Sequence, residues 1–113
     1  MKRVFIAIML LFSLQAAAQK TQIVAHRGYW DTPNNAQNSI TALKTAQQIP
    51  VYGSEFDVNM TSDGVMVVSH GPKLESIPDV QKATYEEVKK VRLKNGEKDP
   101  TLKQYLKKKK KGN

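Results

Sequence analysis

Two acidic residues and a histidine surround one predicted β-hairpin. Glu55 and Asp57 are two positions apart, so both side chains point to the same face of an extended strand. The dipeptide Asp63-Gly64 then predicts a tight turn with positive φ, followed by the apolar run 65–68. Reversal of the chain there places His70 beside Asp57 or Glu55. Two carboxylates and an imidazole at one place are the groups that a metal-assisted hydrolase uses.

A second group of polar residues follows a predicted strand at 21–25. His26 and Arg27 come directly after this strand, and ligand sites in barrels and doubly wound sheets lie at the carboxyl ends of strands. The planar Arg27 guanidinium matches a phosphate or carboxylate, and His26 can transfer a proton near neutral pH. Taken alone, a His-Arg-Gly sequence after a strand is more often a surface turn. Glu55 and Asp57 taken alone are more often on the solvent face of an edge strand. Their combination at strand ends favours a site.

The carboxylates of Glu55 and Asp57 are the candidate metal ligands. The run around them is short and apolar, which is typical of a buried strand. Two buried carboxylates on one face repel each other unless a cation lies between them. Oxygen ligands of this kind suit calcium or magnesium.

The elements that position these residues follow from periodicity and capping signals. Asn38 is the expected N-cap of a helix that ends near Gln48, before Pro50. Phe56 and Val58 are expected to point into apolar packing, opposite the acidic face.

Two capping boxes predict short helices further along the chain. Thr84-x-x-Glu87 begins one that runs to about Leu93, with Val88 and Val91 inward. Thr101-x-x-Gln104 begins another, and Asn95-Gly96 between them is a turn. The order of strands and helices indicates α/β architecture.

Length and charge limit the remaining possibilities. The chain has 113 residues, no cysteine and a net charge of +8. Residues 1–18 combine a charged start, an apolar stretch and Ala16-Ala17-Ala18, which predicts a signal peptide and a periplasmic or secreted protein. Residues 107–113 form a basic tail, and its lysines, Lys107 to Lys111, account for five of the positive charges. We expect at most weak contact of these lysines with anionic membrane surfaces, and no nucleic-acid binding.

Several short segments together resemble the N-terminal signature of the glycerophosphodiester phosphodiesterase family. The match runs from about Ile23 to His70 and continues more loosely to about Leu106. Its ordered combination is specific, although no single piece is. The matching segments are Ala25-His26-Arg27-Gly28, Gln37-Asn38-Ser39, Gly53-Ser54-Glu55-Phe56-Asp57-Val58, Thr61-x-Asp63-Gly64 and Val67-Val68-x-His70.

The resemblance implies the N-terminal portion of a (β/α)8 barrel that hydrolyses glycerophosphodiesters to sn-glycerol 3-phosphate and an alcohol. By this likeness His26 and His70 are the acid–base pair, Arg27 holds the phosphate, and Glu55 and Asp57 bind calcium or magnesium. A whole barrel needs about 250 residues. We therefore expect residues 19–106 to be a truncated barrel of low stability, with open strand edges.

The sequence departs from the family pattern at three places. Gln37 stands where relatives usually carry Glu, and Gly71 where they usually carry Asp. A third acidic metal ligand and a phosphate-contacting lysine, which relatives supply from a later strand, have no counterpart in this chain.

Two other functions stay open from the sequence. One is a non-catalytic protein that binds phosphodiesters or anionic surfaces. The other is a phospholipase C-like or sphingomyelinase D-like lipid phosphodiesterase.

Overall fold

The computed structural model describes residues 20–110, and these form four short strands and three short helices. The predicted signal peptide and Lys111 lie outside the described residues. Within 20–110, no helix is long and apolar enough to cross a membrane. The elements are β1 (Val24–Ala25), α1 (Ile40–Ala46), β2 (Gly53–Ser54), β3 (Val58–Met60), β4 (Met66–Val68), α2 (Tyr85–Lys89) and α3 (Leu102–Leu106).

A β–α–β unit forms the first half of the fold. β1 and β2 pair in parallel, with Val24 opposite Gly53 and Ala25 opposite Ser54. The predicted N-cap Asn38 is wrong by one residue, because the Ser39 side chain accepts the hydrogen bond from the backbone N–H of Ala42. A cap residue has extended backbone, as Ser39 does, whereas Asn38 is left-handed at φ 58°.

The predicted hairpin is confirmed. β3 and β4 pair antiparallel, with Val58 opposite Val68 and Met60 opposite Met66. Of the Asp63-Gly64 pair, only Gly64 has positive φ, at 86°. The Asp63 side chain instead accepts hydrogen bonds from the Thr61 hydroxyl and the Tyr85 backbone N–H, which joins the turn to the start of α2. The Thr61 hydrogen bond, more than the Tyr85 one, holds the pKa of Asp63 below its usual value.

The inward position predicted for Val58 is wrong. Val58 is 40% exposed and belongs to neither apolar cluster of the described residues, although its cross-strand partner Val68 is fully buried. β4, in contrast, lies between two apolar clusters. Val67 packs in a cluster with residues that include Val80 and Val88, and its neighbour Val68 packs with Leu43 and Tyr105. Because β4 is packed on both faces, it fixes the backbone that leads to His70.

Both predicted capping boxes are confirmed. Thr84 and Glu87 cap α2 reciprocally, and Thr101 and Gln104 do the same for α3. α2 ends at Lys89 rather than near Leu93, although Val88 and Val91 are buried as expected. Gly96 has positive φ in the predicted turn.

Candidate active site

The parallel pairing of β1 and β2 brings polar residues to one edge. His26 and Arg27 follow β1 directly, and Glu55 follows β2 directly. Because the carboxyl ends of parallel strands share an edge, the Arg27 backbone N–H donates to Glu55 Oε2 at 3.1 Å. His26 Nε2 lies 3.9 Å from the same oxygen. The chain order β1–α1–β2 thus joins His26 and Glu55 at one place.

The hairpin brings His70 to the same place from the other side. The Ser69 backbone N–H donates to the Asp57 carbonyl at 2.9 Å, which extends the β3–β4 ladder by one residue pair. His70 Nδ1 then lies 3.4 Å from Asp57 Oδ2. Of the two acids predicted beside His70, Asp57 is therefore the one that contacts it. Both imidazoles are largely exposed to solvent, with 69% of the His26 and 57% of the His70 side chain accessible.

Arg27 lies at the centre of the cluster that His26, Glu55, Asp57 and His70 form. Its Nη1 donates to Gln37 Oε1 at 2.6 Å, and its Nη2 lies 2.9 Å from His70 Nε2. Arg27 Nε is 3.8 Å from Asp57 Oδ2. Through its backbone and its guanidinium, this residue touches both acids and one histidine. The neutral Gln37 orients the guanidinium without cancelling its charge.

Asn38 contacts Asp57 in a way that sequence reasoning missed. Its Nδ2 donates to Asp57 Oδ2 at 3.2 Å, and its Oδ1 accepts from the Asp57 backbone N–H at 3.4 Å. Its own backbone N–H donates to the Arg27 carbonyl at 3.0 Å. The Gln37-Asn38-Ser39 segment already marked this residue, but its position before a helix predicted an N-cap rather than a contact with Asp57.

Gly28 lets helix α1 approach the loop that carries Arg27. Its φ is +80°, and a Cβ built there would lie 2.7 Å from Ala42 Cβ and 2.8 Å from the Ala42 carbonyl carbon. Only glycine combines this backbone conformation with such close contact. Arg27 itself has φ 58°, so two successive residues are left-handed just after β1. The turn aims Arg27 back across the strand ends.

Phe56 turns the two acids toward the cluster. Its ring packs against Tyr105 of α3, with the ring centroids 4.6 Å apart. Glu55 and Asp57, on either side of Phe56, both contact Arg27, as the spacing predicts, although 55–57 lie between β2 and β3 rather than within a strand. Burial raises the pKa of Tyr105, so its hydroxyl stays neutral behind the site.

The two acids fit part of a divalent-cation site. Within residues 20–110, no three side chains of the metal-binding types lie close enough together to hold an ion by themselves. In the same part of the chain, Glu55 Oε1 and Asp57 Oδ1 have no hydrogen-bond donor, while the other oxygen of each contacts protein groups. Magnesium is often bound by one or two carboxylates together with water and phosphate oxygens. Glu55 and Asp57 suit that arrangement.

Comparison with known proteins decides the family. A sequence model of the glycerophosphoryl diester phosphodiesterase family matches residues 26–113. The chain belongs to this family. The resemblance seen in the sequence is confirmed, and the matched range includes His26, Arg27, Glu55, Asp57 and His70. Members of the family generally depend on a divalent metal ion.

Two curated relatives cover the same region. A glycerophosphodiester phosphodiesterase of Caldanaerobacter subterraneus subsp. tengcongensis is 39% identical over 85 residues, which are 70% of this chain and 34% of the relative. One from Bacillus altitudinis is 36% identical over 74 residues, or 62% of this chain and 29% of the relative. The chain thus spans about a third of the length of these relatives.

Solved structures show the same fold. A glycerophosphodiester phosphodiesterase from Parabacteroides distasonis matches 77% of this chain and 36% of its own length, with 52% identity and a TM-score of 0.73. One from Thermotoga maritima matches 81% of this chain and 41% of its own length, with 31% identity and a TM-score of 0.63. A phosphodiesterase from Oleispira antarctica, in complex with the product sn-glycerol-3-phosphate, matches 78% of this chain and 39% of its own length. Its identity is 26% and its TM-score is 0.65. The predicted fold, the N-terminal portion of a (β/α)8 barrel, is confirmed.

Proposed function

We propose that this chain carries the first part of an active site that hydrolyses glycerophosphodiesters to sn-glycerol 3-phosphate and an alcohol. One observation carries the proposal: His26, Arg27, Glu55, Asp57 and His70 meet at the carboxyl edge of β1 and β2. Family membership and the product-bound Oleispira relative support it.

Arg27 is the proposed phosphate ligand. Its guanidinium is planar and permanently charged, and it lies between Asp57 and His70, while its backbone N–H binds Glu55. The Arg27 Nη2 that now faces His70 Nε2 is also a donor that a phosphate oxygen would accept from. Substrate binding therefore frees His70 Nε2 for proton transfer.

The two histidines are the proposed acid and base. Hydrolysis needs one group to remove a proton from the attacking water and another to protonate the departing alkoxide. His26 reaches the cluster from β1 and His70 from the hairpin, so they approach it along different elements. Asp57 holds His70 by its Nδ1, which leaves Nε2 as the reactive nitrogen.

Glu55 and Asp57 would hold the calcium or magnesium ion through their free oxygens. When bound, the ion neutralises charge that develops on the phosphate oxygens. The same two acids have a second role in the chain itself. They fix the backbone of Arg27 and the ring of His70, so the site is ordered by the residues that bind the ion.

The test is an assay with sn-glycero-3-phosphocholine of the protein completed with the missing strands of the barrel, with released glycerol 3-phosphate measured by a coupled dehydrogenase. In the completed protein we expect turnover that a chelator stops and that falls by about a hundredfold or more in His26→Ala and His70→Ala. Full activity in either variant would refute its role. A cyclic phosphate product, visible by ³¹P NMR, would favour the phospholipase C-like alternative.

Binding without turnover would favour the non-catalytic alternative. The chain covers 36–41% of the length of relatives of known structure, so its binding of ligand is measured separately from turnover. Line broadening of the ³¹P signal of glycerol 3-phosphate on addition of the chain, abolished in Arg27→Ala, is the expected result.

We also propose that residues 1–18 direct export and that Lys107 to Lys111 give weak attraction to anionic lipid. The charged start and small-residue run support the first, and the clustered charge supports the second. N-terminal sequencing of exported protein tests cleavage after Ala18. Sedimentation with phosphatidylglycerol vesicles at low and high salt tests the attraction, which should vanish at high salt.

A further inference from the structure

A cleft of about 820 Å³ is lined by His70. It borders the acid–arginine cluster of Arg27, Glu55 and Asp57 through Gln37 and Asn38. The loop after β1 forms one wall and contributes Trp30 and Asn35. The segment after His70 forms another and contributes Lys73. The segment before α3 supplies Lys94 and Asp99. Neither sequence motifs nor the reaction chemistry has assigned this space a role.

Asp99 is the unusual member of this cleft. The residue is 4% exposed, and neither carboxylate oxygen has a hydrogen-bond partner among the described residues. A buried carboxyl group without a hydrogen-bond partner costs free energy. Rotation of the Asp99 side chain toward the opening would give both oxygens partners if a hydroxylated ligand occupied the cleft.

The charges around the cleft argue against a charged ligand. Lys73 and Lys94 are opposed by Asp31 and Glu75, so neither sign dominates. Burial raises the pKa of Asp99 to about 8, which leaves this carboxyl mostly protonated at neutral pH. In that form it offers one O–H donor and one carbonyl acceptor, a set that pairs with alcohol hydroxyls.

Trp30 adds a flat apolar surface to the polar lining. The residue is half-buried at the cleft wall, and its indole is the largest aromatic group there. An aromatic face beside amide, hydroxyl and carboxyl groups suits a polyol, whose C–H groups pack on the ring while its hydroxyls form hydrogen bonds.

We propose that this cleft binds the alcohol half of the diester and that it selects a neutral, polyhydroxylated alcohol, with Asp99 as the selecting residue. The proposal rests on the proposed function, because the position beside His70 is what identifies the occupant as the leaving alcohol. The acid–arginine cluster holds the phosphate at one end of the site. The cleft adjoins this end through His70, Gln37 and Asn38.

The chain has a built-in reporter for the test. Trp30 is its only tryptophan, so its fluorescence reports on this cleft alone. The 113-residue chain is titrated with myo-inositol and, separately, with choline. We expect a saturable change in emission with myo-inositol and at least tenfold weaker binding of choline. Stronger binding of choline, or no change with either probe, would overturn the proposal.

Three variants test the role of Asp99. Asp99→Asn keeps a donor and an acceptor without charge, so inositol binding should stay within about threefold of the original. Asp99→Leu removes both and should weaken it at least tenfold, with the fold checked by circular dichroism. Glu86→Gln, on the exposed face of α2, is the control and should change nothing. Equal inositol affinity in Asp99→Leu would contradict the assignment.

The outcomes separate this proposal from the proposed function. Glycerol 3-phosphate binding through Arg27 is followed by ³¹P NMR in the same samples. If the chain binds inositol but not glycerol 3-phosphate, the result counts against the proposed function, and therefore against the alcohol half as the occupant of the cleft. If the chain binds glycerol 3-phosphate but not inositol, the result counts against the proposed specificity of the cleft.

Discussion

Arg27 Nη2 lies 2.9 Å from His70 Nε2. A guanidinium nitrogen only donates hydrogen bonds, so His70 Nε2 must be the acceptor and carry no proton. The neutral imidazole then carries its proton on Nδ1, the nitrogen 3.4 Å from Asp57 Oδ2. Two charged neighbours thus select one tautomer of the histidine, the one with its proton on Nδ1 and a lone pair on Nε2.

The tautomer gives the first prediction. At pH 8, where histidine is ordinarily neutral, a long-range ¹H–¹⁵N spectrum should show His70 with its proton on Nδ1. Arg27→Ala should remove this preference because the donor to Nε2 is gone. His26 is the other histidine of the chain and serves as an internal reference. A wild-type His70 protonated on Nε2 would contradict the geometry.

Gly28 gives a prediction with a matched control. Gly28→Ala adds a methyl group 2.7 Å from Ala42 Cβ at a left-handed position, so we expect destabilisation by at least about 2 kcal/mol. Gly64→Ala is also left-handed, with φ +86°, but has no atom within 4 Å of the added methyl group, and should cost about 1 kcal/mol. Urea denaturation measures both. Equal losses would show that the contact with Ala42 is not tight.

Metal binding should stabilise the fold. Calcium or magnesium at a hundred times its dissociation constant should raise the free energy of unfolding by about 2.7 kcal/mol, if the ion binds only the folded state. Glu55→Gln or Asp57→Asn should remove most of this gain. The control is Glu86→Gln, which leaves the cluster untouched. A metal-induced rise in melting temperature that survives in both site variants would place the ion elsewhere.

Asn38 should act through Asp57. Asn38→Gly keeps the left-handed backbone and removes both side-chain hydrogen bonds to Asp57, so metal affinity should fall by about tenfold with little loss of stability. Asn38→Ala should lose the same affinity and also about 1 kcal/mol of stability from backbone strain. Calorimetric titration and thermal melts separate the two effects. Unchanged affinity in Asn38→Gly would leave Asn38 with a backbone role only.

Asp99 should make stability depend on pH. Its pKa is raised from 3.8 to about 8 by burial, so between these values the folded state holds a proton that the unfolded state has released. This contribution therefore favours folding below about pH 4 and is progressively lost as the pH rises to about 8. Asp99→Asn removes the effect and should be more stable than the parent at pH 8, by about 1–3 kcal/mol. Stability curves for the two that run parallel from pH 4 to 8 would contradict the burial of this carboxyl.

Local sequence determined much of the fold. The two capping boxes, the hairpin and the Gly96 turn depend on residues a few positions apart, and they form as expected. The clustering of both histidines with Glu55 and Asp57 was also predictable, because strand ends and a hairpin impose it.

Tertiary structure alone decided the rest. Asn38 contacts Asp57 across 19 positions, and Arg27 contacts His70 across 43, which no local pattern encodes. Val58 was expected inside because alternation predicts faces, yet it is 40% exposed while its cross-strand partner Val68 is fully buried, so burial depends on where along a face other elements pack. Asp99 was unremarkable in the sequence and is buried only because the chain packs around it. Spacing along the chain sets which residues can share a face, and long-range packing sets what each of them touches.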